Sequence, residues 1–187
     1  MQSRATYDDA KLILELYEMR REERMRKARS WFVASFRPRS AADLAALCPR
    51  GSDESASYRM VATYWEMVAS FLTSGALNSE LFYQSGRELL FTWERVRDVV
   101  PAIRETYKHQ RELKNLEEAA TAYISWWNTV APGAYEGRVS RLRRSLLHRG
   151  RRGARLARRD DRAYREYVRE EQRSQPGCIA GRMQTNF

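Results

Sequence analysis

Cysteine, proline and glycine are all scarce, at two, five and nine in 187 residues. Cys48 and Cys178 are too few for a disulfide scaffold and wrongly spaced for a metal site, which excludes the small cystine-rich class. No stretch approaches the roughly 20 apolar residues that cross a bilayer, and the polar start, Met1 to Asp9, contains no apolar targeting segment. A cytoplasmic protein without a membrane span is expected. No run alternates with period two for long enough to make a strand, so the expected fold class is all-α. There is no glycine-rich phosphate loop, no Cys-x-x-Cys and no nucleophile with an identifiable base. The chain is accordingly read as a non-enzyme, with no catalytic residue, cofactor or metal assigned.

Lysine is missing from the last fifty residues, where all fifteen basic side chains, Arg138 to Arg182, are arginine. Against five acids they carry a charge of +10, which equals the net charge of the whole chain. Residues 1–137 balance, with nineteen basic and nineteen acidic side chains. The pI near 10 therefore belongs to a tail and not to the apolar part of the chain. This discontinuity sets the expected organisation: a helical domain over residues 6–135, as a single bundle of about five to six helices, then a basic tail over 136–187.

What is present is helical periodicity with written-in caps. Thr6 with Asp9 makes an acidic capping box, and the segment from there to Phe36 has neither Gly nor Pro, so one long helix is expected. Its buried stripe would contain Leu14, Tyr17, Met25, Ala28, Phe32 and Phe36, and its charged middle would pair Glu22 with Arg26 and Glu23 with Lys27. Pro38 stops it, and Ser40 with Asp43 caps a short helix to about Leu47. Tyr58, Val61, Trp65, Val68 and Leu72 then fall at spacings of 3 and 4, with Tyr64 and Phe71 widening the face and Gly75 as the C-terminal cap. That helix is expected at the centre. Ser85 to Glu88 reads as another capping box before Leu89, Leu90, Trp93, Val96 and Val100, and Pro101 breaks or restarts the helix there. Asn115 with Glu118 would cap the last core helix, lined by Leu116, Ala119, Ala120, Tyr123, Ile124 and Trp127, which Pro132-Gly133 closes.

Two strings, YEMRREERMRKARSWF and RMVATYWEMVASFLTSGALNSELFYQSGRELLFTWERV, resemble a bacterial family of small all-helical proteins classed as a domain of unknown function. The resemblance covers roughly residues 6–135 and stops at the charge discontinuity. It implies a helical fold and brings no activity, substrate or cofactor with it.

The candidate chemistry is thin. Glu105, His109 and Glu112 stand at i, i+4 and i+7, a spacing that presents metal ligands on one helix face, yet carboxylate-bridged bundle sites need further Glu-x-x-His pairs. A solvated polar face is the better reading. The acidic doublets Asp8-Asp9, Asp53-Glu54 and Glu117-Glu118 lie at expected helix starts, where the helix dipole favours them.

Aromatic side chains are more numerous than one core requires, and the neighbours Trp126 and Trp127 cannot both point inwards. They are the candidate interface, for a protein partner or a homodimer, against the alternative that the second ring lies under the chain after Pro132. In the tail, Arg141, Arg143, Arg144, Arg149, Arg151, Arg152, Arg155, Arg158 and Arg159 are the candidate nucleic-acid contacts, binding phosphates independently of sequence. Adhesion to an anionic membrane surface and an unselected extension are the other two readings of that segment. The expected function is an interaction or scaffold protein acting through an aromatic helix face, with a nucleic-acid-associated accessory protein as the alternative.

Overall fold

The computed structural model describes residues 4–147. The chain divides into two units after Arg141, and the packed core belongs to the first. Among the described residues there are nine helices and no strand: α1 (Tyr7–Arg21), α2 (Glu23–Ser35), α3 (Ala41–Leu47), α4 (Asp53–Thr73), α5 (Ser79–Tyr83), α6 (Glu88–Val96), α7 (Val100–Tyr107), α8 (Lys114–Val130) and α9 (Ala134–Leu147). The fold is all-α, with more and shorter helices than the five to six expected.

The largest difference is at the start. One helix was expected from Thr6 to Phe36, but the backbone breaks at Glu22, whose ψ of 140° is extended. Glu22 turns its carboxylate to the Met25 amide, 2.9 Å away, and so caps α2 instead of pairing with Arg26 along a continuous helix. The Glu23–Lys27 pair does form, at 2.7 Å. The break also changes which side chains face inwards: Leu16 and Arg20 are buried, while Leu14 is 65% exposed.

α4 is the central element and shares its largest interfaces with α2 and α8. Trp65 is 1% exposed, and Val61, Val68 and Leu72 are buried with it, as the 3-4 spacing demands. Burying a side chain of that size is worth a few kcal/mol, so this stripe fixes the orientation of α4. Buried alanines, Ala62 and Ala69 on α4 and Ala119 and Ala120 on α8, suit a close helix approach. Phe36 stacks on Phe32 at 4.6 Å and on Tyr58 at 4.9 Å, joining the end of α2 to the start of α4. At Gly86 a Cβ would stand 2.2 Å from the Phe82 ring, so only glycine lets the α5–α6 connection pass.

Two further caps differ from expectation for one reason, which is that a partner distant in sequence offers more than the neighbour three residues away. Arg87 begins α6 without a side-chain cap, because Glu88 is drawn inwards to Arg20 and Arg29. At α8 the cap comes from another helix: Glu66 of α4 accepts from the Asn115 amide at 3.1 Å, the Asn115 side chain at 2.8 Å and the Leu116 amide at 2.8 Å. That grip compensates the backbone of Leu113, buried with φ at +53°.

Candidate functional site

Most of the buried charge in the described residues is committed to structure. Arg20 on α1 reaches Glu88 at 2.5 Å, Arg29 on α2 grips both oxygens of the same carboxylate, its Nε 2.6 Å from Oε1, and Arg29 also donates to the Arg20 carbonyl at 3.2 Å. The Arg20 guanidinium lies over the Tyr17 and Trp65 rings, at 4.8 and 5.5 Å. This arrangement knots three helices together; burial is the largest influence on Arg20 and opposes its charge, but Glu88 together with Tyr17 and Tyr64 leaves the Arg20 pKa raised. Glu94, also buried, accepts from the Tyr135 hydroxyl at 2.5 Å and from Arg97 at 3.0 Å. Burial pushes the Tyr64 hydroxyl up as it donates to the Leu16 carbonyl at 2.8 Å. Burial and the neighbouring Glu54 push the Cys48 thiol up to about 11, which favours its protonated form at neutral pH.

The Glu105, His109 and Glu112 spacing does not lie on one helix. α7 ends at Tyr107, Lys108 turns left-handed at φ +53°, and His109 is exposed beyond it, 3.2 Å from Glu112. Among the described residues no group of three or more His, Cys, Asp or Glu side chains is placed to hold a metal ion. A groove of about 380 Å³ between α6, α7 and α8 has Trp93, Pro101 and Ile124 in its walls. Its cations are already held: Arg97 by Glu94 and Asp98, Arg104 by Glu117 at 2.8 Å and the Glu112 carbonyl at 2.9 Å. The acidic doublets sit in the first turns of α1 and α4, and Glu117 in that of α8, as the dipole favours.

Trp126 and Trp127 both lie half-buried near the end of α8. Trp126 tilts against Tyr83 at 5.4 Å and Tyr123 at 5.8 Å. Trp127 lies between Tyr123, at 5.9 Å, and Tyr135, at 6.2 Å, the latter brought back over it by the turn at Gly133, φ +78°. The second ring is therefore partly covered by the chain after Pro132, and neither indole is fully withdrawn. Val130, one turn further along α8, is 63% exposed. Arg87 and Arg138 lay their guanidinium groups over the Trp127 indole, at 5.7 and 5.8 Å from its centroid. The sequence gives no local sign of this grouping, because Arg87, Trp127 and Arg138 come from three separate elements.

Of the arginines proposed as phosphate contacts, Arg141, Arg143 and Arg144 fall within the α9 helix, and Arg149, Arg151, Arg152, Arg155, Arg158 and Arg159 lie outside the described residues. No helix of the described residues is long and apolar enough to cross a membrane.

No curated protein and no solved structure matches the chain. A family model, the domain of unknown function DUF4760, matches residues 5–131, which takes in every helix from α1 to α8. The chain belongs to that family.

Proposed function

We propose that this helical domain is a non-enzymatic interaction module that engages a protein partner, or a second copy of itself, through the end of α8. One observation carries the reading: Val130 is 63% exposed beside two half-buried tryptophans, so three large apolar side chains keep accessible surface together at the end of α8, whereas the other exposed apolar residues, such as Leu14 and Tyr107, have no such tryptophan pair beside them in sequence. The internal carboxylates support it, since Glu66, Glu88 and Glu94 all serve as caps or ion-pair partners within the fold. A cytoplasmic setting suits the free thiol of Cys48. The test is a photo-crosslinking residue placed at Val130 and, for comparison, at the exposed Arg59 of α4, in the full chain expressed in cells. Adducts at Val130 and none at Arg59 support the reading, with the adduct mass telling a second copy from another protein. Equal adducts at both positions, or none at Val130, remove it.

A second reading, sequence-independent adhesion to nucleic acid, rests on the fifteen arginines after residue 137 and not on the helical core.

A further inference from the structure

The Trp127 cluster carries more information than exposed apolar area alone. Arg87 and Arg138 approach the same ring at 5.7 and 5.8 Å, which limits the separation of their charges to 11.5 Å. That bound lies a little beyond a Debye length of about 8 to 10 Å, so both positive charges belong to one small patch while salt screens part of their mutual repulsion. Arg87 is half-buried and Arg138 exposed; of the other half-buried or buried arginines, Arg20, Arg29 and Arg104 each hold a carboxylate, Arg95 donates to the Phe36 carbonyl at 3.3 Å and Arg37 to the Ala34 carbonyl at 3.4 Å. Among the described residues neither Arg87 nor Arg138 forms an ion pair. A cation–π approach to an indole occupies no N–H donor, so the planar donor fork of each guanidinium is left without a carboxylate among the described residues. A planar fork of that kind matches a carboxylate bidentately.

We propose that Arg87 and Arg138, gathered over Trp127, each bind a carboxylate of an acidic peptide segment whose apolar side chains cover Trp126 and Val130. This rests on the reading of the α8 edge as an interaction surface. Charge complementarity selects an anionic occupant, and the neighbouring apolar area selects a peptide. A nucleic-acid backbone has no side chain to cover Val130, and guanidinium groups already lie over the ring of Trp127 on which a base would stack.

The experiment uses the full chain and three fluorescent probes: an amphipathic peptide with a leucine stripe flanked by glutamates, the same peptide with glutamines, and oligo(dT). Anisotropy titrations compare the wild type with the double variant Arg87→Gln/Arg138→Gln and with Arg24→Gln/Arg26→Gln, which removes two exposed charges from α2. Arg87→Lys/Arg138→Lys keeps the charge and removes the fork, and thermal melting of each variant establishes that it is folded. The expected result is that the Arg87/Arg138 glutamine variant weakens glutamate-peptide binding by roughly tenfold or more, that lysine restores only part of it, and that the α2 control changes little. The glutamine peptide should bind the wild type as weakly as the glutamate peptide binds the variant. Equal losses in the two glutamine variants would assign the effect to bulk charge and overturn the proposal. So would unchanged peptide binding, or a loss confined to oligo(dT). If the Val130 crosslink persists in the Arg87/Arg138 variant while peptide affinity does not change, the surface stands and only its acidic partner falls.

Discussion

At the scale of single residues, Trp65 has the largest consequence. It is 1% exposed at the centre of the α4 stripe, beneath the Arg20 guanidinium. Trp65→Ala should cost about 3 to 5 kcal/mol, a large part of the stability of a domain this size, and is read as a fall in the urea midpoint. A midpoint close to wild type would show that the cavity collapses without loss. Asp9 gives a pH-dependent counterpart. Its carboxylate accepts from the Thr6 hydroxyl and amide, both at 2.7 Å, and from the Asn78 amide at 2.7 Å, which holds its pKa below the ordinary 3.8. A depressed folded-state pKa contributes stability that is fully present above the unfolded value and is lost as pH falls through the folded one. Wild type should therefore exceed Asp9→Asn at neutral pH, and the gap should close on acidification below about pH 4. A gap independent of pH would mean that the ionised carboxylate is not what the cap uses.

Among the elements, the junction of α1, α2 and α6 depends on one carboxylate. Glu88→Gln would leave Arg20 and Arg29 facing each other without a counter-charge, for a loss of about 3 to 5 kcal/mol, whereas Glu23→Gln on the solvated face of α2 should stay within about 0.5 kcal/mol. Chemical denaturation of the two variants side by side checks it, and equal effects would mean that water reaches the Glu88 cluster. The same junction explains a misreading of the sequence. Nothing between Thr6 and Phe36 is a helix breaker, so local pattern favours continuity; the break at Glu22 is set by the demand that Arg20 and Arg29 converge on a carboxylate 68 and 59 residues away. The caps of α6 and α8 are of the same kind. Ser85 and Asn115 look like caps to a reader of the sequence, but Glu88 and Glu66 have tertiary partners.

For the molecule as a whole, the charge of residues 138–187 and the packing of the core meet in α9. Tyr135 and Val139 are buried, so the helix contributes to the core past the point where the charge changes. A cut that spares it is the informative one. Deleting residues 148–187 should leave the thermal midpoint within a few degrees of wild type, because the removed segment is poor in large apolar residues and has little surface to bury. If the arginines bind nucleic acid, the intact chain should bind mixed-sequence DNA and lose roughly three to five orders of magnitude in affinity between 50 and 200 mM salt, and the deletion should lose most of the binding. Gel-shift titrations at both salt concentrations decide it, and equal binding by the two chains would remove the nucleic-acid reading.

By itself the sequence determined the all-helical class, the central place of α4, the short α3, the helix interruption at Pro101 and the family. The helical features follow from spacings of three and four and from Pro and Gly within one segment, and the family from the resemblance of two longer strings. Only the tertiary structure decided where α1 ends, what caps α6 and α8, that His109 falls outside α7, and that Arg87 and Arg138 share the ring of Trp127. The first two depend on a charged side chain choosing between a near partner and a far one, and the last two on where the backbone turns bring separate elements. That choice is settled by burial and geometry, since a carboxylate shielded from water binds a cation or a pair of amides more strongly than an exposed one does three residues along a helix.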